Sequence, residues 1–148
     1  AERQHLRAWL EDFMQREVRP ALLAPLRRES APQPVQLVGT GGTSTILARI
    51  AAGLDSFDRS RIEAAQLGRN QVRECADHLW SLPLEAREKI TGLPPKRADI
   101  ILAGVLIYES IMQAFDFPSL RVSTRGLRFA AVLDSAQRHL TAPPSEAR

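Results

Sequence analysis

The run Val35-Gln36-Leu37-Val38-Gly39-Thr40-Gly41-Gly42-Thr43-Ser44-Thr45 passes from apolar to glycine-rich to polar, and Ile46, Leu47, Ile50 and Ala51 follow it at helical spacing. The order is strand, glycine loop, helix, which is the start of an α/β unit. Consecutive glycines let backbone N–H groups approach an anion with no β-carbon in the way. The first turn of the following helix adds partial positive charge at the same spot. Thr40, Thr43, Ser44 and Thr45 add hydroxyls. Together these suit a phosphate or a chain of phosphates. The same residues equally suit a tight strand-to-helix turn that binds nothing. No lysine follows the glycines, so this is not a Walker loop.

On the amino-terminal side, Leu6, Trp9, Leu10, Phe13, Met14 and Val18 recur at three- and four-residue steps and predict an amphipathic helix. Pro20, Pro25, Pro32 and Pro34 are expected to end it and begin a connector, so residues 1–30 read as helix plus connector. The chain starts at Ala1 without a methionine, and a helix begins almost at once, as in a fragment cut inside a larger protein.

On the carboxy-terminal side, a weakly signalled short strand is expected around Glu63 to Leu67. Asn70 is a candidate cap for the helix carrying Val72, Cys75, Ala76, Leu79 and Trp80. Pro83 can open a short helix with Glu85 and Lys89 as a favourable four-residue pair, and Gly92 suits its end. From Lys96 to about Phe115 the pattern is helical, and Ile100 to Ile107 leave almost no polar face, which predicts a helix buried all round. Gly104 in its middle costs about 1 kcal/mol against alanine, which points to close packing or to a ligand. Leu120-Arg121-Val122-Ser123 alternates as a strand, a last helix is expected over about Gly126 to Leu133, and residues 135–148 are expected to form a disordered tail.

Composition sets limits. With 148 residues, one domain is expected. Aromatic residues make up only 5% of the chain, so aliphatic side chains must build the core. The 20 basic residues are scattered among 17 acidic ones, leaving a net charge of +3 and no stripe of the kind that binds nucleic acid. Nearly all of the basic residues are arginine; Lys89 and Lys96 are the exceptions. Arginine suits bidentate phosphate binding, and arginine-rich codon usage gives the same composition. The single Cys75 cannot form an internal disulfide, lies at helical spacing between Val72 and Leu79, and reads as a small buried hydrophobe. No zinc-ligand spacing is present. The longest unbroken apolar run, Ile100 to Tyr108, falls far short of the ~20 residues of a membrane helix. No membrane association is expected, and the cytoplasm is the expected location.

Two further segments carry chemistry. Leu93-Pro94-Pro95-Lys96-Arg97-Ala98-Asp99 puts Arg97 and Asp99 at the opening of the apolar helix, where Arg97 can meet an anion or merely balance local charge. Arg121 to Arg128 holds three arginines and no acid, with Ser123, Arg125 and Arg128 able to dock a polyanion or to form a solvated basic turn.

In order and spacing these three segments resemble the exopolyphosphatase / guanosine-pentaphosphate phosphatase (Ppx/GppA) family over about Val35 to Leu133. The family's Gly-Thr-x-Gly-Thr loop is matched by Gly39-Thr40-Gly41-Gly42-Thr43. Its Gly-Leu, following arginine and glycine-containing apolar helix are matched by Gly92-Leu93, Arg97 and Gly104. Its closing Ser-Asp-x-x-Leu-Arg-Glu-Gly is matched by Ser123, Leu127 and Arg128, with Thr124 in place of the aspartate and Phe129-Ala130 in place of Glu-Gly.

The resemblance implies an α/β fold, part of an actin-like ATPase (ribonuclease H-like) lobe, helix-rich with a few short strands. Residues 31–134 would be the core of its second lobe. It also implies hydrolysis of terminal phosphoanhydrides of inorganic polyphosphate or guanosine pentaphosphate. Gly39, Thr40, Gly41, Gly42 and Thr43 would cradle phosphate, with Arg97, Ser123, Arg125 and Arg128 binding further phosphates and Gly104 allowing a close approach. The Asp-x-Gly loops and catalytic glutamate of such enzymes are not in this sequence. No catalytic base is therefore assigned here, and the 148 residues alone are expected not to turn over substrate. Magnesium is implied as cofactor, with its ligands outside this chain. The implied partners are a missing amino-terminal lobe and a second copy as homodimer. The rival reading is a non-catalytic phosphate-chain-binding or dimerisation module with a degenerate site.

Overall fold

The structure is a computed structural model that describes residues 1–28 and 35–141. Its first helical stretch is continuous. Helix α1 (Glu2–Phe13) passes through a π-helical segment, Met14–Val18, into α2 (Arg19–Arg28). The expected break at Pro20 does not occur. Pro20 follows the π-helical segment, where the i→i−4 ladder gives way to the wider i→i−5 pattern that closes with Arg19 N–H on the Met14 carbonyl, and a residue without an N–H is accommodated there. Pro25, expected in the connector, also lies within α2, while Pro32 and Pro34 lie outside the described residues.

Strand β1 (Leu37–Thr40) runs directly into α3 (Gly42–Ala51), as the glycine-loop pattern predicts. Next comes α4 (Arg59–Glu63), capped by Asp58, whose carboxylate accepts the Arg61 N–H at 3.1 Å. The weak second strand is real but shifted: β2 is Gln66–Gly68, after the short helix that takes up Glu63. Helix α5 (Arg69–Ser81) starts one residue before the expected cap. Gly68 is the N-cap, and its N–H donates to Gln71 Oε1 at 2.8 Å, leaving Asn70 inside the first turn. Pro83 opens α6 (Leu84–Arg87), and a 3₁₀ turn, Pro95–Arg97, leads to α7 (Ile101–Ala114). Strand β3 (Ser119–Ser123) and α8 (Leu127–Thr141) close the described chain. Helix α8 extends eight residues past Leu133, so residues 135–141 are helical rather than tail, and 142–148 lie outside the described residues.

The three strands form one sheet in the order β1-β3-β2. β1 lies parallel to β3, with Gly39 opposite Val122 and Thr40 opposite Ser123, and β2 lies antiparallel to β3. Parallel neighbours need a crossover, and here it comprises everything from α3 to α7. Leu120 and Val122 point from the central strand into a core shared with Leu47 of α3, Val72, Ala76 and Leu79 of α5, and Ile101, Val105 and Leu106 of α7. Burying each of the larger aliphatic side chains contributes about 1.5–3 kcal/mol. Leu10 of α1 joins the same cluster. The core is aliphatic, as the shortage of aromatics requires.

Helix α7 is not buried all round. Ile100, just before it, and Ile107 are exposed. Its buried face includes Glu109, only 6% exposed, whose two carboxylate oxygens each accept from Arg7 Nη2 of α1 at 2.7 Å. A buried carboxylate on an otherwise apolar helix is held by a guanidinium from a different element. Glu109 thus belongs to an interhelical tie that periodicity cannot reveal. No described helix is long and apolar enough to cross a membrane.

Candidate functional site

The bend between β1 and α3 is built around Gly41. Its φ of +94° with ψ of −167° lies in a region open essentially to glycine alone. That geometry turns the chain from the strand into the helix and leaves Thr40, Gly41 and Gly42 at the surface. The first backbone donor tied back is Thr45 N–H, to the Gly41 carbonyl at 3.3 Å. The N–H groups of Gly42 and Thr43 have no hydrogen-bond partner among the described residues, and no side chain caps this helix. These are unpaired donors at the start of a ten-residue helix, where its dipole is positive.

The hydroxyls around the bend divide by role. Ser44 is fully buried, and its Oγ donates to the Gly41 carbonyl at 3.2 Å, which braces the bend and removes this hydroxyl from any ligand. Thr43 is turned towards α7, where a β-carbon on Gly104 would lie 2.6 Å from its Oγ1. Gly104 therefore serves helix packing, one of the two reasons its position suggested. Thr40 faces outward, with the Tyr108 hydroxyl 3.5 Å from its carbonyl oxygen.

A cleft of about 690 Å³ opens beside Thr40 and Gly41, and its far wall is the β3–α8 turn: Thr124, Gly126, Leu127, Arg128, Phe129 and Val132. The pairing of Thr40 with Ser123 brings these walls together, because parallel strands deliver their carboxy-terminal ends to the same edge of the sheet. Thr40 and Gly41 of the glycine loop so share one cavity with Arg128, while Gly42 and Thr43 lie next to them in the chain and outside its lining. The other predicted residues are placed differently. Ser123 Oγ accepts the Arg125 N–H at 3.2 Å and shapes the turn. The Arg125 guanidinium lies 5.3 Å from the centre of the Phe129 ring, a cation–π contact at the edge of the cleft. Arg97 is exposed in the 3₁₀ turn before α7 and is not part of the cleft wall.

One residue at this cleft had no sequence signal. Glu63, at the end of α4, accepts from both the N–H of Thr124, at 3.3 Å, and the Thr124 hydroxyl. The Thr124 hydroxyl is the main cause holding the Glu63 carboxyl below the usual carboxylate range. Partial burial opposes it, while the Thr124 N–H, Arg125 and Arg59 add to it. Thr124, which stands in place of the aspartate of the resembled pattern, is thus hydrogen-bonded to a carboxylate from another element.

Magnesium has no ready seat here. No three His, Cys, Asp or Glu side chains gather into a metal site among the described residues, and Glu63 is already engaged by Thr124. Cys75 lines a small apolar hollow between α3 and α5, and burial pushes its thiol up to about 11, which suits a packed hydrophobe rather than a nucleophile.

A family model described as the Ppx/GppA phosphatase family matches residues 2–139. A curated relative, the bifunctional 3-dehydroquinate synthase/phosphatase of Fusobacterium nucleatum, is 27% identical over 103 residues, 68% of this chain and 15% of that protein. Among solved structures, the Aquifex aeolicus member of the Ppx/GppA protein family superposes with a TM-score of 0.74 at 24% identity, over 94% of this chain and 42% of that one. An exopolyphosphatase from Cytophaga hutchinsonii superposes with a TM-score of 0.63 at 18% identity, over 88% of this chain and 41% of that one. At these identities the superpositions speak to fold, and the fold is the helix-rich α/β lobe of actin-like type that the sequence pattern implied. The chain spans less than half the length of each of these relatives.

Proposed function

This chain belongs to the Ppx/GppA phosphatase family, and from that premise we propose that its cleft holds the phosphate chain of a phosphohydrolase substrate, inorganic polyphosphate or guanosine pentaphosphate. The observation that carries the proposal is the pair of free N–H groups on Gly42 and Thr43, beside a cleft whose opposite wall carries Arg128. Backbone donors fix phosphate oxygens at short range, and a guanidinium neutralises the next phosphate along. Phosphoryl transfer is catalysed chiefly by positioning and charge stabilisation, and this wall supplies both. The general base, the magnesium ligands and the other phosphate loop would come from the part of such an enzyme that this chain does not match. The chain alone would then bind substrate without cleaving it, in the cytoplasm, with the complementary lobe as its partner.

Phe129 favours a second reading. A phenylalanine under Arg125 in the cleft wall replaces a carboxylate with a cation–π contact, which suits a lobe that senses phosphate chains without hydrolysing them. Calorimetric titration of linear polyphosphate into the 148-residue chain tests the shared premise. Binding should weaken by roughly tenfold or more in Arg128→Ala, as expected for a charge-assisted contact worth ~1.5–3 kcal/mol. Equal affinity in the two proteins refutes the cleft as the site. Phosphate release by the chain alone refutes the assignment of the base to the unmatched part.

A further inference from the structure

Thr124 is the residue at which the chain leaves β3, and the turn Thr124-Arg125-Gly126 decides where α8 and Arg128 point. Both hydrogen-bond donors of Thr124, its N–H and its hydroxyl, converge on a single oxygen of Glu63. Glu63 is tethered on a different element, α4, whose own start is capped by Asp58. The turn is thus fastened to the body of the lobe by one carboxylate, and Arg125 and Arg59 add attraction from either side. The Arg125 guanidinium is in turn laid over Phe129 of the cleft wall.

We propose that Glu63 is a positioning residue: its carboxylate locks the Thr124–Gly126 turn so that Arg128 faces the glycine loop across the cleft. This rests on the phosphate-chain reading given above and deepens it. The lock carries a negative charge beside a site for anions, so its worth must come from geometry, since its field alone would repel the ligand. Glu63→Gln separates the two effects, because an amide oxygen still accepts from Thr124 while the charge is gone.

Two measurements on the 148-residue chain test the inference. The first needs no ligand: the Glu63 carboxyl carbon is followed by NMR across acidic pH. It should titrate below the usual carboxylate range and move up towards it in Thr124→Val. A carboxyl depressed by a native contact stabilises the fold above its ordinary range, and that contribution is lost as pH falls through the lowered value. The second is calorimetric titration with sodium tripolyphosphate. Glu63→Ala and Thr124→Val should each weaken binding by about tenfold. The double substitution should lose little more than either alone, as two halves of one contact do. Glu63→Gln should stay within about threefold of the parent. Unchanged affinity in Glu63→Ala, additive losses in the double variant, or no response of the Glu63 titration to Thr124→Val overturns the positioning role alone. No binding of tripolyphosphate by the parent chain overturns the cleft reading, and this inference with it.

Discussion

Gly104 and Gly42 stand on either side of Thr43, one across the helix seam and one along the chain. A β-carbon on Gly104 would lie 2.6 Å from Thr43 Oγ1 and 2.8 Å from its Cγ2, whereas a β-carbon on Gly42 would meet nothing within 4 Å. Gly39 and Gly92 side with Gly104. A β-carbon on Gly39 would lie 2.8 Å from Ser44 Cβ, and one on Gly92 would lie 2.6 Å from the Ile50 backbone nitrogen. These three glycines let β1, α3, α7 and the turn after α6 close on one another. Gly41 is fixed by its backbone angle. Neither packing nor backbone angle explains Gly42, and on the reading proposed above it lets an anion approach the N–H groups of the bend. The seam and the cleft therefore use the same residue type under different physics, and substitutions can be ranked by which side they fall on.

The largest effect is expected at Gly92→Ala. Its β-carbon would meet backbone atoms of Arg49 and Ile50 at 2.6 to 2.9 Å, and its φ is +92°. Backbone inside a helix cannot give way as a side chain does, so overpacking and left-handed strain add to a loss of about 3 kcal/mol or more. Urea unfolding measures it, and a loss below about 1 kcal/mol would show that the seam is looser than its distances imply.

Gly104→Ala is expected to cost less, about 1–3 kcal/mol, because its obstacle is the Thr43 side chain. Thr43→Ala in the same chain should recover most of that loss. This non-additivity would place the cost at the seam between α3 and α7 rather than in α7's own helix propensity. Additive losses would break the account of Gly104 as a packing glycine.

Both sides of the comparison lie in stretches that the sequence signals by local rules, and this explains which parts were legible. The β1–loop–α3 unit, α5 and α7 show in the spacing of apolar residues, and the bend shows in Gly41-Gly42. What escaped was non-local. Glu63 meets Thr124 from 61 positions away, and Arg7 reaches Glu109 from 102. Neither carboxylate differs in sequence from a solvated one. The continuation of α1 through Met14–Val18 into α2 was hidden because proline ordinarily breaks a helix interior, and a π-helical segment that accommodates it cannot be read from spacing. Ile100 and Ile107 look like core by composition and lie at the surface because Ile100 precedes the helix and α1, α3 and α5 leave uncovered the strip of α7 that carries Ile107.

Gly42→Ala has the smallest expected effect on stability and is the most discriminating of these substitutions. Position 42 is the first residue of α3, its φ lies outside the left-handed region, and a methyl group there meets open space. Alanine in a helix loses less backbone freedom on folding than glycine, so stability should stay level or rise by about 0.5–1 kcal/mol. A phosphate approaching the Gly42 and Thr43 N–H groups would meet that same methyl. Displacing it from charge-assisted contacts worth ~1.5–3 kcal/mol lowers affinity for tripolyphosphate by roughly tenfold to a hundredfold. A variant at least as stable as its parent and unable to hold the anion would show that the glycine serves a ligand. Undiminished binding would take the ligand role away from Gly42 and leave the bend as a turn and nothing more.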